Sequence, residues 1–350
     1  MAEEIANKLR LQLSVHEKGS LTKQPTHNVE AYRLYLKGTY HVSKWSQEGL
    51  RKGIEFLHQA LEVEPVFPAA YSSLGFVYLL LGLFGTMPAR ESFPRAKSAA
   101  IKALEIEADY PNAHALLGMV ALVFDWDWEQ FQIHVRAAMA LAPNQANCHW
   151  ALSYGWLARG RYQDAITAME RATELDPLSA PMSMAMGHAY YFSRQYDRAL
   201  KRYKATIELD PLFVPAYHVL PIAYAKMGLL QEAFSTIQHL LDRNQLNDDR
   251  LPMTRALLSA MAGQADDARA RVSQLEREPI GRYSYGLRFL SATVYANIGE
   301  PGLALDLLEQ CYQERLPQLT FLAGQPEFES LYGHPRFVEL INRIGLARTS

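Results

Sequence analysis

The chain has 350 residues with 35 basic and 37 acidic side chains, a formal charge of −2. A balance so near zero gives no global field to attract nucleic acid or an anionic membrane, so partners of those two kinds are not expected. Apolar residues make up 49% of the chain and aromatics 11%, which excludes a disordered composition.

Residues 1–29 stand apart. Ile5, Leu9 and Leu13 are spaced by four, giving a short amphipathic helix, and Lys18 to His27 reads as a polar linker. Met1 to Arg10 lacks the apolar core of a signal peptide. The most apolar run, Leu74 to Phe84, is too short to span a bilayer. A soluble, cytoplasmic chain is expected.

From Glu30 onward one phrase recurs at helix ends. It reads Ala-Leu-Glu-Val-Glu-Pro (60–65), Ala-Leu-Glu-Ile-Glu-Ala (103–108), Ala-Met-Ala-Leu-Ala-Pro (138–143), Ala-Thr-Glu-Leu-Asp-Pro (172–177) and Thr-Ile-Glu-Leu-Asp-Pro (206–211). Pro143, Pro177 and Pro211 are spaced 34 and 34, and Ala108 to Pro143 is 35. Pro65 to Ala108 is 43, an excess of nine assigned to a longer loop at Gly82 to Pro94.

A second echo follows each phrase: a large residue, leucine, a small residue and then an aromatic. Its small members are Gly75, Gly118, Ser153 and Gly187, its aromatics Tyr78, Trp156, Tyr190 and Tyr224. A third echo pairs a glycine with an alanine five residues on: Gly160 and Ala165, Gly228 and Ala233, Gly263 and Ala268, Gly299 and Ala304. At the matching point before Ala199 stands Arg194. The small residues let two helices approach, the glycines close the first helix in a left-handed conformation, and the prolines end the second.

Repeats of this length and wording resemble the tetratricopeptide repeat (TPR), a 34-residue helix–turn–helix. The resemblance implies an all-α, right-handed superhelical solenoid. Its units are expected near 30–64, 68–106, 111–141, 146–175, 180–209, 214–244, 250–277 and 284–315. Ser46 looks like the cap of the second helix of unit one, and Asp125 or Asp127 that of unit three. Phe337, Leu340, Ile341 and Ile344 form a stripe on a capping helix expected over 326–346.

Chemistry is sparse. The histidines His114 and His149 stand where other units carry Tyr71 and Tyr217, so they read as packing residues. Cys148 and Cys311 read as two reduced, buried thiols. No metal motif, phosphate loop or catalytic triad can be assembled, so no cofactor, metal or enzymatic activity is expected.

In a superhelix of this family the first helix of each unit lines the concave side. Reading those helices in register gives Phe76 and Leu79, then Met119 and Leu122, Trp150 and Tyr154, Met184, His188 and Tyr191, and finally His218 and Ile222. This uncharged, aromatic surface is a candidate groove for a protein or peptide segment, with Trp150 and Tyr154 as anchors. Alternatively, tight winding buries it, or the chain's own Ile5–Leu13 helix fills it. Asn112 and Asn147 lack the basic partners of a carboxylate clamp.

Finer wording, in Ala-Tyr-Arg-Leu-Tyr-Leu-Lys-Gly (31–38), Asp-Trp-Asp-Trp (125–128), Leu-Asp-Pro-Leu-Ser (175–179) and His-Pro-Arg-Phe (334–337), is similar to the C-terminal TPR halves of bacterial signalling proteins. In those the N-terminal part is a kinase, a nucleotide cyclase or a winged-helix regulator. Two functions follow as expectations: a non-catalytic interaction scaffold or sensory module, or the regulatory half of such a regulator without its output domain.

Overall fold

The computed structural model describes residues 26–243, 251–277 and 286–345. The expected Ile5–Leu13 helix lies outside them. Among the described residues the regular elements are all helical, and they fall into eight antiparallel pairs.

The pairs are α1 (Val29–Val42) with α2 (Gln47–Val63), α3 (Pro68–Leu83) with α4 (Ala89–Ile106), and α5 (Pro111–Val120) with α6 (Trp128–Leu141). Next come α7 (Ala146–Ala158) with α8 (Tyr162–Leu175), α9 (Ala180–Phe192) with α10 (Tyr196–Leu209), and α11 (Val214–Lys226) with α12 (Leu230–Arg243). Then α13 (Leu251–Met261) pairs with α14 (Ala265–Glu276) and α15 (Leu287–Asn297) with α16 (Pro301–Gln313). Most first helices also touch the first helix of the next unit, which produces an all-α solenoid with these helices inside.

Local chemistry explains the pairing. The Gly187 Cα lies so close to α10 that a Cβ there would sit 2.3 Å from the Tyr203 ring. Ser153, the variant of that small position, uses its hydroxyl to donate to the Ala165 carbonyl at 2.9 Å. The ring position of the second echo also has one role. The His149 and His114 rings bond to the carbonyls of Pro143 (2.7 Å) and Ala108 (3.1 Å), and the Tyr217 hydroxyl donates to Pro211 (2.9 Å). These rings fasten each first helix to the end of the preceding helix.

Caps form at Ser46, which accepts from the Gly49 amide at 3.1 Å, and at Asp127, which accepts from Gln130 at 3.0 Å. Asp125 instead pairs with Lys97 at 2.7 Å.

Every turn between the two helices of a unit contains a left-handed residue: Trp45, Gly85, Trp126, Gly160, Arg194, Gly228, Gly263 and Gly299. Glycine takes this conformation freely, whereas a side-chain-bearing residue pays about 1–2 kcal/mol. Trp45, Trp126 and Arg194 therefore need a compensating gain, and all three find it in contacts far along the chain.

Two expectations change. The excess nine residues of unit two do not form a long loop over 82–94. They lengthen the helices, so that α3 has 16 residues and α4 has 18, against 13 and 14 in the next regular pair. Gly82 stays helical because α4 approaches it closely; a Cβ there would meet Ser92 Oγ at 2.4 Å. Pro94 sits in the second turn of α4, where it removes only one intrahelical bond.

The second change concerns the tail. The final helix, α17, is confined to Pro335–Ile344, with Phe337, Leu340 and Ile344 buried. Of the residues grouped with it on sequence, Pro326–Leu331 form instead a 3-10 stretch, which with a second such stretch, Pro317–Gly324, makes a strap. That strap runs along the inside of the solenoid.

Candidate functional site

The strap's anchors are spread over most of the array. Arg90 of α4 donates to the Gln313 carbonyl at 2.6 Å, and Arg315 reaches back to the Phe124 carbonyl at 3.1 Å. Arg315 also lies over the Trp126 ring, which stacks on Tyr312 at 5.2 Å. Gln318 donates to Leu83 at 3.3 Å and Thr320 to Leu122 at 3.4 Å. Farther on, Arg194 donates to the Gly324 carbonyl at 2.8 Å and to Tyr332 at 3.1 Å, and pairs with Glu329 at 2.8 Å. The left-handed Arg194 is therefore a strap contact, and the left-handed Trp126 holds Tyr312 and Arg315 just ahead of the strap.

Glu327 is the strap's buried charge, only 3% exposed. Its carboxylate accepts from the Tyr191 hydroxyl and the Gln325 amide, and the Lys226 ammonium stands 3.9 Å away. Burial first, and the adjacent carboxylate second, push the Tyr191 phenol well above its usual pKa. Removing a partner from a buried charge of this kind costs several kcal/mol, so the cluster fixes the strap's register. Lys226 also donates to the Pro326 carbonyl at 3.1 Å and Asn297 to Glu327 at 3.0 Å.

The inner face holds two adjoining cavities, and the strap lines only the second. The open part is a cavity of about 630 Å³ whose lining includes Phe76, Leu79, Met119 and Trp150, with Asn112, Asn147 and Leu178 around them. Asn112 Oδ1 is buried there with no hydrogen-bond partner. The second part is a cavity of about 310 Å³ beside the strap, lined by Trp150, Tyr154, Met184, His188, Tyr191, His218 and Ile222 from the helices. Strap residues Pro317, Gln318, Phe321, Gln325 and Glu327 supply a further wall. The remaining groove candidate, Leu122, is buried, and its carbonyl receives Thr320.

Trp45 joins the two parts. Its ring lies 6.4 Å from Trp150, 6.2 Å from Phe76, 5.6 Å from Phe84 and 5.8 Å from Phe213. Those rings span units one to six, so the superhelix is wound tightly. Leu79, Met119, Leu122, Trp150, Met184, Tyr191 and His218 are buried accordingly, while Phe76, Tyr154, His188 and Ile222 are half-buried.

Sequence reasoning did not find Trp45, Phe321 or Glu327 among the inner residues. One signal was available: Arg194 occupied a position where the turn calls for glycine.

Among the described residues no group of three or more His, Cys, Asp and Glu side chains is placed to hold a metal. Cys148 and Cys311 are buried free thiols, and burial pushes Cys311 up to about 12. No helix of the described residues is long and apolar enough to cross a membrane.

The architecture is that of an α-solenoid built from helix–turn–helix units. The fold is that of a tetratricopeptide-repeat solenoid, and the tetratricopeptide repeat model matches residues 156–220, from the end of α7 into α11. Over 153 residues it is 23% identical to the transcriptional regulator HilA of Salmonella typhimurium, a stretch covering 44% of this chain and 28% of that protein. HilA of Salmonella typhi matches to the same extent. The chain thus spans less than a third of these curated relatives. The human IFIT1 dimer, solved with m7Gppp-AAAA, superposes with a TM-score of 0.59 at 15% identity, over 89% of this chain and 75% of that one. That likeness is one of fold.

Proposed function

We propose that the chain is a non-catalytic interaction module that receives an extended apolar segment of a partner protein in the open part of its inner groove. The carrying observation is the 630 Å³ cavity whose lining includes Phe76, Leu79, Met119 and Trp150. The half-buried Phe76 ring offers apolar contact area there, and the amides of Asn112 and Asn147 can both donate to and accept from a peptide backbone. The strap supports the reading indirectly, since a segment of this chain already lies against the neighbouring part of the same inner face.

The test places a photo-reactive benzophenone side chain at Ser73 or at Leu178 in the cavity lining, and at Ile133 as a control outside it. Adducts to one partner from both groove positions, without adducts from Ile133, support the reading. Equal labelling from all three positions would exclude it.

A second reading is favoured by the HilA similarity: this chain acts as the regulatory portion of a transcriptional regulator. Under that reading the groove's occupant belongs to the regulator's own output machinery. Adducts formed only with a DNA-binding subunit would select it.

A further inference from the structure

The smaller cavity, beside the strap, has features of a small-molecule site. Its volume of about 310 Å³ lies at the lower end of the roughly 300–1,000 Å³ range of ligand pockets. Helices α7, α9, α11 and α15 and the strap enclose it, so it exists only when the strap is in place. Aromatic rings dominate the lining, among them Trp150, Tyr154, Phe192 and Phe321.

Polar groups are few, and two lack protein partners. His188 and Tyr203 both line the cavity, and neither makes a hydrogen bond among the described residues. Their contact is with each other, ring centroids 5.8 Å apart at 67°. Tyr203 is only 1% exposed. An imidazole and a phenol left without protein partners at the cavity wall can each bond to a molecule held there. Glu327 and Tyr191, by contrast, satisfy one another.

Charge decides the class of ligand. Burial drives the His188 imidazole down to about 4, so it is neutral near pH 7, able to accept at one nitrogen and donate at the other. A neutral ring gives an anion no counter-charge, and the Glu327 carboxylate in the same wall repels one. A cation gains little, because Glu327 already has Tyr191, Gln325 and the nearby Lys226. Flat walls of aromatic rings favour a flat aromatic guest.

We propose that this cavity binds a neutral aromatic molecule of two or three rings whose N–H or O–H group bonds to His188. Because Phe321 and Glu327 form part of the wall, such a molecule also holds the strap in place. The site adjoins the open groove, sharing Trp45 and Trp150 with it, but the proposal does not require that a partner dock there.

The test is a titration of the full chain with N-phenyl-1-naphthylamine, a neutral aryl amine with one N–H that fluoresces in apolar surroundings. We expect saturable binding at one site per chain, competed by 1-naphthol. His188→Phe should weaken it roughly tenfold, as loss of one hydrogen bond implies. Phe321→Trp, which enlarges the strap wall and leaves His188 intact, should weaken it too. The sulfonated analogue 8-anilinonaphthalene-1-sulfonate should bind at least tenfold more weakly. Non-saturable binding would overturn the proposal. So would equal affinity of a folded His188→Phe chain, or sulfonate binding as tight as that of the neutral probe.

Discussion

The ring of Phe321 stands edge-on to that of Tyr154, centroids 5.3 Å apart and planes at 88°. Phe321 also meets Phe192 at 5.6 Å. One strap residue thus touches the first helices of units four and five, the region expected from sequence to be the centre of the groove. The protein occupies part of its own inner surface, but from the C-terminal side.

Shortening Phe321 to alanine should expose that contact. A half-buried aromatic truncated against two rings costs roughly 1–3 kcal/mol, less than a fully buried one. Urea unfolding measures the loss. Faster amide exchange should accompany it over residues 317–331 and the facing turns of α7 and α9, with no change in α1 and α2.

Arg194→Gly separates strain from attachment. Glycine relieves the left-handed cost of about 1 kcal/mol, while the bonds to Gly324, Tyr332 and Glu329 are lost. By those magnitudes the lost bonds outweigh the relief, and global stability should fall by about 1–3 kcal/mol. The strap should loosen with them, so hydrogen exchange over 322–332 is predicted to rise at least tenfold. Unchanged exchange there would mean that Arg194 does not hold the strap.

Gly187→Ala tests the helix pairing. Its new Cβ would lie 2.3 Å from the ring of Tyr203, one of the largest fully buried side chains. Overpacking of this kind costs about 1–3 kcal/mol, and thermal unfolding should report it.

His188 gives the stability a pH dependence. Its folded pKa of about 4 lies below the ordinary 6.5. Between those values the unfolded chain binds a proton that the folded chain does not, so stability falls as pH drops through 6.5 toward 4. From pH 7.5 to 5.0 the loss from this residue is about 1–2 kcal/mol. His188→Gln removes it. The stability difference between wild type and variant should therefore shift in the variant's favour on acidification.

The solenoid was legible because its determinants are local and periodic. Gly187, Ser153 and the left-handed glycines each act within one unit, and repetition makes them stand out. The inner-face residues were legible for the same reason, since Trp150 and Tyr154 keep a fixed register in their helix. The strap was not. Its 3-10 stretches carry no helical period, and its partners lie far off: Thr320 bonds across 198 positions to Leu122, and Gln318 across 235 to Leu83. Gly82 and Pro94 misled because composition marks a loop where tertiary packing supports a helix. Trp45, Trp126 and Arg194 could have been read as a warning, because a costly residue at a glycine position implies a distant contact.

The central claim is that the C-terminal strap lines the inner face. A benzophenone side chain in place of Phe321 in the purified full chain tests it most directly. Irradiation followed by peptide mass spectrometry should show intramolecular links to the segments containing Tyr154 and Phe192. Links only to neighbouring strap residues, or to outer-face segments such as the one containing the exposed Ile133, would contradict it.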